Sequence, residues 1–492
     1  MKQRIISTIA VASLLMASSG CRKYLDVNQN PNIAQNVTPE LLLPSAQIQI
    51  ASAVGVDMQI NGSFWAQYWT QSPNASQYRY LEQYATTASN YDRVWGLLYN
   101  GALADLRRLE VTAREANRNQ YVAVAKLLEA YTFQLLTDGW GDIPVAEAIQ
   151  GLPGDGGIVS PRYDPQSVVY DSIISIINQG LTIINETRDQ HFIGTEDVIY
   201  GGDMDLWERF GNTLLLRVYL RLSERDPGKA QTGIQQLYAR TGGNMFLDNG
   251  EDAQVNYIST AGNQNPLYAE MVALRRTQNL VASATVVDTM LANNDPRVFE
   301  FFTIVSGTVR GLQQGNFNST TAGTLSTPSA LVAGQATNAA SAEAPVKLLT
   351  GYESLFLQAE AAARNWGTGS DEDLFEQGIV ASFETYGLTT AEAQTYTDSS
   401  YWGVYPAGGS LEEKIRHIIT QKWFSMTGNQ GFEAWTEWRR TGYPNIFTSS
   451  VTSIIGNVFP QRFLYPNTEV TRNANFPGQT LITEKVWWDV KD

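Results

Sequence analysis

The sequence predicts an all-α protein, mostly helix with long irregular loops, and three observations lead there. Apolar residues recur every three or four positions over long stretches, as on one face of a helix. The stretches come in pairs separated by short breaks. Between the pairs lie segments that suit neither helix nor strand, above all Val305 to Pro345, which is rich in Gly, Ser, Thr, Ala and Asn with almost no charge.

The elements follow in order. Lys2 and Arg4, the uncharged stretch from Ile5 to Met16 and the small residues Ala17 to Gly20 have the form of an export signal. Its apolar stretch is well short of the ~20 residues a membrane-spanning helix requires. Cys21 follows at once and is the only cysteine of the chain, so it is expected to be lipidated as the first residue of the mature protein. Ser18 stands three residues before it, where such signals usually carry leucine. Residues 21–44 read as a tether, broken by Asn28, Asn30, Pro31, Asn32 and Pro39, and residues 45–492 as a single domain. Helix pairs are expected from about Asn90 to Leu136, from Val168 to Leu222 and from Tyr352 to Tyr386, with a further helix from Leu411 to Met426. The pair from Tyr352 has Ser370 as N-cap and Gly387 as stop, and its length is close to the ~34 residues of a tetratricopeptide-like hairpin.

The formal net charge is −15 at pH 7, and cleavage after Gly20 would make it more negative by removing Lys2 and Arg4. With no basic run anywhere, nucleic acid is not an expected partner. With two histidines and one cysteine, thiolate metal sites, multi-histidine centres and Cys-His catalysis are excluded, and no metal or cofactor is expected. His417 reads as a partly exposed helical histidine. No phosphate-binding loop, dinucleotide fingerprint or nucleophile elbow occurs. Asp138 and Asp142 are the best acid pair for a glycosidase, but their spacing around Gly-Trp-Gly also describes a turn closed by Asp side chains, the preferred reading.

What remains is the aromatic supply of 12 Trp, 23 Tyr and 18 Phe. Flat rings stack on sugar faces or on extended peptides. In the irregular segment from Asn61 to Tyr84, Trp65, Tyr68, Trp69 and Tyr78 are candidate ligand contacts, and Asn74, Gln77 and Arg79 could orient a polar ligand. The same i, i+3, i+4 spacing also makes a buried helical stripe. Phe317, Tyr401 and Trp402 lie in other irregular stretches and complete the candidate set. Trp423, Trp435 and Trp438 read as core.

Several blocks then carry a family resemblance: Cys21-Arg-Lys-Tyr-Leu-Asp-Val-Asn28, Asp138-Gly-Trp-Gly-Asp-Ile-Pro144, Asp295-Pro-Arg297, Tyr352 through Glu360-Ala361 with Gly378-Ile379 and Ala381-Ser382, and Gly431-Phe-Glu-Ala-Trp435 with Trp438-Arg-Arg-Thr-Gly442. Their order and spacing resemble the SusD/RagB family of outer-membrane nutrient-binding lipoproteins. The resemblance implies four tetratricopeptide-like units carrying an irregular ligand face. It also implies a palmitate-bearing lipid anchor on Cys21, an outward-facing position at the cell outer membrane, and a SusC-like TonB-dependent transporter as partner. The function it implies is nutrient uptake without catalysis, by capture of an oligosaccharide or, as in the RagB branch, a peptide. A surface glycosidase and a purely structural adaptor remain as other readings. The blocks are scaffold, so the resemblance transfers no ligand residue.

Overall fold

Helix starts earlier than the punctuation suggests. A computed structural model describes residues 37–151, 156–242, 245–276, 279–318 and 324–491; Cys21, the export signal and the tether up to residue 36 lie outside them. Helix α1 (Pro39–Ser52) takes in the expected end of the tether and runs through a π-helical segment, Ala53–Met58, into α2 (Gln59–Trp65). Pro39 suits the first turn, where its missing N–H is not needed. Pro44 removes one backbone hydrogen bond inside the helix, but burial of Leu42, Leu43, Ala46 and Ile50 outweighs that loss.

The expected pairs are present. Asp92–Gly96 (α3) continues through a second π-helical segment, Leu97–Leu103, into Ala104–Glu115 (α4), which packs on Asn119–Trp140 (α5). Gln166–Thr187 (α6) packs on α5 and on Met204–Arg221 (α7), and Pro227–Thr241 (α8) packs on α7. Gly351–Ala363 (α9) packs on Asp371–Thr385 (α10), followed by Thr390–Ser399 (α11), Leu411–Ser425 (α12) and Gly431–Thr441 (α13). Ser370 caps α10 by accepting from the Asp373 amide, and Gly387 ends it at φ +84°. Two short antiparallel ladders join distant segments: Trp69–Gln71 (β1) with Leu280–Ala282 (β3), and Ala253–Val255 (β2) with Val346–Leu349 (β4). The segment from Asn61 to Tyr84 is therefore irregular only in part, since it holds the end of α2 and all of β1.

Alpha-2 meets α13 backbone to backbone. A Cβ on Gly62 would lie 2.2 Å from the Phe432 nitrogen, and one on Gly431 would lie 2.5 Å from the Ser63 nitrogen. Neither obstacle is a flexible side-chain end, so the helices would have to separate. We expect Gly62→Ala to destabilise the protein by about 1–3 kcal/mol despite alanine's better helix propensity; a urea midpoint equal to or above wild type would contradict this.

The blocks around Asp138, Glu360 and Arg440 meet in a buried charge network linking α5, α7, α9, α12 and α13, while Arg297 bonds Asp295, Ser382, Gln421 and Ser425. All five N–H donors of Arg440 are used: two on Glu360 (2.6 and 2.8 Å), two on Glu437 (2.7 and 2.9 Å) and one on Ser223 (3.0 Å). Arg221 reaches Glu433 at 2.5 Å and also bonds Glu437, while Asp138 lies 3.4 Å from its Nε. Lys422 sits among Glu353, Glu433 and Glu437 at 3.3 to 3.6 Å. These cations hold Glu433 and Glu437 below the usual carboxylate range.

Candidate functional site

The eight candidate contacts fall into three groups. Trp65, Tyr68, Trp69, Tyr78 and Phe317 are buried, which corrects their reading as ligand contacts. Trp65 is 3% exposed, with its ring 4.8 Å from Trp435 and 5.6 Å from Phe463. Tyr68 stacks on Trp423 and donates its hydroxyl proton to that residue's carbonyl. Trp69 is sealed within the β1 ladder. Tyr78 packs edge-on against Phe64, and the Arg79 guanidinium covers one face of Phe317 at 4.8 Å. The rings are buried, but not as a helical stripe: α2 ends at Trp65, the chain turns at Gln67 (φ +58°), and Trp69 lies in β1, with α12 and α13 packing over them. Asn74 is exposed, as is Gln77, so the second group is polar surface.

The third group, Tyr401 and Trp402, is brought together at the surface. Tyr401 is 60% exposed and its ring lies 4.9 Å from that of Trp402, which is half-buried. Both rings rest on His417, at 5.3 and 4.9 Å, and Arg416 donates to the Tyr401 hydroxyl at 3.3 Å with its guanidinium 5.8 Å from the Trp402 ring. The turn carrying the two rings is held from both ends. Gln421 on α12 donates to the Trp402 carbonyl (3.0 Å) and the Tyr396 hydroxyl (2.7 Å). On the far side Tyr405 and Lys414 both donate to Asp371, each at 2.7 Å. Gly403 is required there, since a Cβ would meet the Tyr396 carbonyl at 2.5 Å. The result is a pre-positioned pair of rings set edge to face at 76° with a guanidinium beside it, so that one ring face can stack on a flat ligand while the polar groups hydrogen-bond it. Sequence reasoning found the rings but missed Arg416 and the supporting role of His417, whose helical spacing carries no sign of what packs above.

Residues 31–466 match the family model SusD-like_2, described as starch-binding associating with outer membrane. The chain belongs to the SusD-like family. No curated protein sequence matches it. Its fold is shared with a chitin-binding protein of known structure, 24% identical with a TM-score of 0.77 over 92% of this chain and 100% of that one. A SusD homologue from Bacteroides uniformis is 24% identical, with a TM-score of 0.75 over 92% of this chain and 99% of that one. A chitin-binding SusD homologue from Flavobacterium johnsoniae is 21% identical, with a TM-score of 0.76 and the same coverage, 92% and 99%.

Within this SusD-like scaffold the remaining titratable candidates have structural work. Asp138 is buried and accepts from Tyr170 and from Trp488 Nε1 (2.9 Å), while Asp142 accepts the Gln166 amide at the start of α6 (2.8 Å). No group of three His, Cys, Asp or Glu side chains arranged to hold a metal occurs among the described residues. His417 is buried under the two rings, not partly exposed, and burial together with the Arg416 charge pushes its pKa down to about 4. The imidazole is therefore neutral at pH 7. Because the folded value lies below the ordinary 6.5, its contribution to stability is complete above pH 6.5 and is lost as pH falls through 4. We expect wild type to lose about 1–2 kcal/mol more than His417→Gln between pH 7 and 4. Denaturant melts of both proteins at the two pH values check this; parallel losses would contradict it.

Proposed function

We propose that this SusD-like protein is a surface lipoprotein that captures a neutral oligosaccharide without catalysis, anchored in the outer membrane through Cys21. It delivers the glycan to a SusC-like TonB-dependent transporter. The single observation that carries this reading is the Tyr401–Trp402 pair, an exposed ring adjoining a half-buried one with Arg416 alongside. The family description and the chitin-binding proteins of the same fold support a glycan as ligand. The net charge of −15 disfavours acidic glycans. The same charge favours a second reading, in which the ligand is a basic peptide.

Calorimetric titration separates the two. Chitin, starch and xylan oligomers are compared with lysine- and arginine-rich peptides at low and high salt. Saturable binding to at least one neutral oligomer, insensitive to salt, is the expected result; binding to peptides alone, weakening with salt, would replace the glycan reading with the peptide one.

A further inference from the structure

Helix α3 and the π-helical segment after it turn Asp92, Trp95, Gly96, Tyr99 and Asn100 toward one cavity. Loop residues 144–151 and 158–161 and the short helix Asn467–Arg472 wall it off, leaving a volume of about 400 Å³. Its floor is fixed. The Trp95 ring lies 4.6 Å from Tyr99 and 5.2 Å from Trp140, and the Tyr99 hydroxyl donates to the Pro144 carbonyl at 2.7 Å. Its polar groups are also held in place: Asp92 accepts the Thr468 amide at 2.8 Å, and Glu469 accepts from Tyr163 at 2.7 Å and from Asn473 at 2.9 Å. Asn100 and Arg472 stand exposed at the rim.

Gly96 makes this more than an accidental gap. It sits at ordinary helical angles, φ −63° and ψ −43°, and a Cβ added to it would meet nothing within 4 Å. Alanine would fit and would favour the helix by about 1 kcal/mol. Neither packing nor backbone geometry asks for glycine here. Its effect is to leave the cavity open beside Trp95 and Tyr99, which line it with the little surface they keep, 4% and 6% exposed.

We propose that this cavity is a second saccharide site, separate from the Tyr401–Trp402 platform. It takes one or two sugar residues, with ring edges below and Asp92, Glu469, Asn100 and Arg472 for the hydroxyls. The volume lies within the range of small-ligand sites, and rings combined with fixed carboxylates, an amide and a guanidinium form a typical sugar-recognising set. The inference rests on a glycan being the ligand, but not on the platform binding it.

The test uses the mature protein labelled with 5-fluorotryptophan, with the Trp95 and Trp402 fluorine resonances assigned from Trp95→Phe and Trp402→Phe, and titrated with chitin, starch and xylan oligomers. The Trp95 resonance is expected to shift saturably with at least one oligomer. Gly96→Met, which fills the cavity, should weaken that response about tenfold or more while leaving the Trp402 response unchanged. A shift at Trp402 alone would overturn the second site and leave the platform reading standing; a shift at Trp95 alone would do the reverse, and silence at both would remove both. A Trp95 shift that survives Gly96→Met would also overturn the proposal. If Gly96→Met does not fold, Asn100→Ala at the exposed rim decides: about threefold or greater weakening at Trp95 supports the site, and unchanged affinity contradicts it.

Discussion

Arg440→Leu is expected to lower the stability of the protein by about 3–5 kcal/mol. The guanidinium is fully buried and bonds Glu360 and Glu437 through a planar fork, so its removal leaves two carboxylates in the interior without their main counter-charge. Arg440→Lys keeps one positive charge but cannot occupy five acceptor positions, and should recover only part of the loss. The deficit also has a pH signature. In wild type the cations hold Glu360 and Glu437 below the usual carboxylate pKa, so their stabilising effect is present at neutral pH and is lost on acidification. In Arg440→Leu the same groups would bind protons more readily, so the difference between the two proteins should shrink from pH 7 to pH 4. Denaturant melts across that range check it. A deficit below about 1 kcal/mol, or one that grows with acid, would mean that the network contributes little.

Trp65→Ala is expected to be as damaging to the fold and silent in binding. The indole packs among Trp435, Phe463 and the surrounding helices, and truncating a buried Trp costs about 3–5 kcal/mol through lost contacts and the cavity left behind. Molecules that do fold keep their binding surface, so the affinity per folded molecule should match wild type. A variant of wild-type stability with weakened sugar affinity would return Trp65 to the ligand face.

These two residues show what could be read from the chain and what could not. Helix pairs were legible because a 3.6-residue period is a local property, and the Ser370 cap and Gly387 stop were legible for the same reason. The blocks around Asp138, Glu360 and Arg440 were legible as scaffold, but not as one network, because its members come together only when five helices assemble. The exposure of a ring was the least legible property. Trp65 and Trp402 are both tryptophans near irregular chain, yet Trp65 is covered by α13 from far along the sequence, while nothing among the described residues covers the Tyr401 side of the Trp402 turn to the same degree. Spacing on one segment cannot report what another segment brings to it.

Exposed Tyr401 and half-buried Trp402 together carry the proposed capture of sugar. The most direct measurement is the affinity of the best-binding neutral oligosaccharide for Tyr401→Ala/Trp402→Ala, beside that of wild type, with thermal melts of both. Loss of two anchoring rings should weaken binding by about 2–4 kcal/mol, which is thirtyfold or more, with the melting temperature nearly unchanged. Equal affinity in the double variant would show that the ligand is held elsewhere.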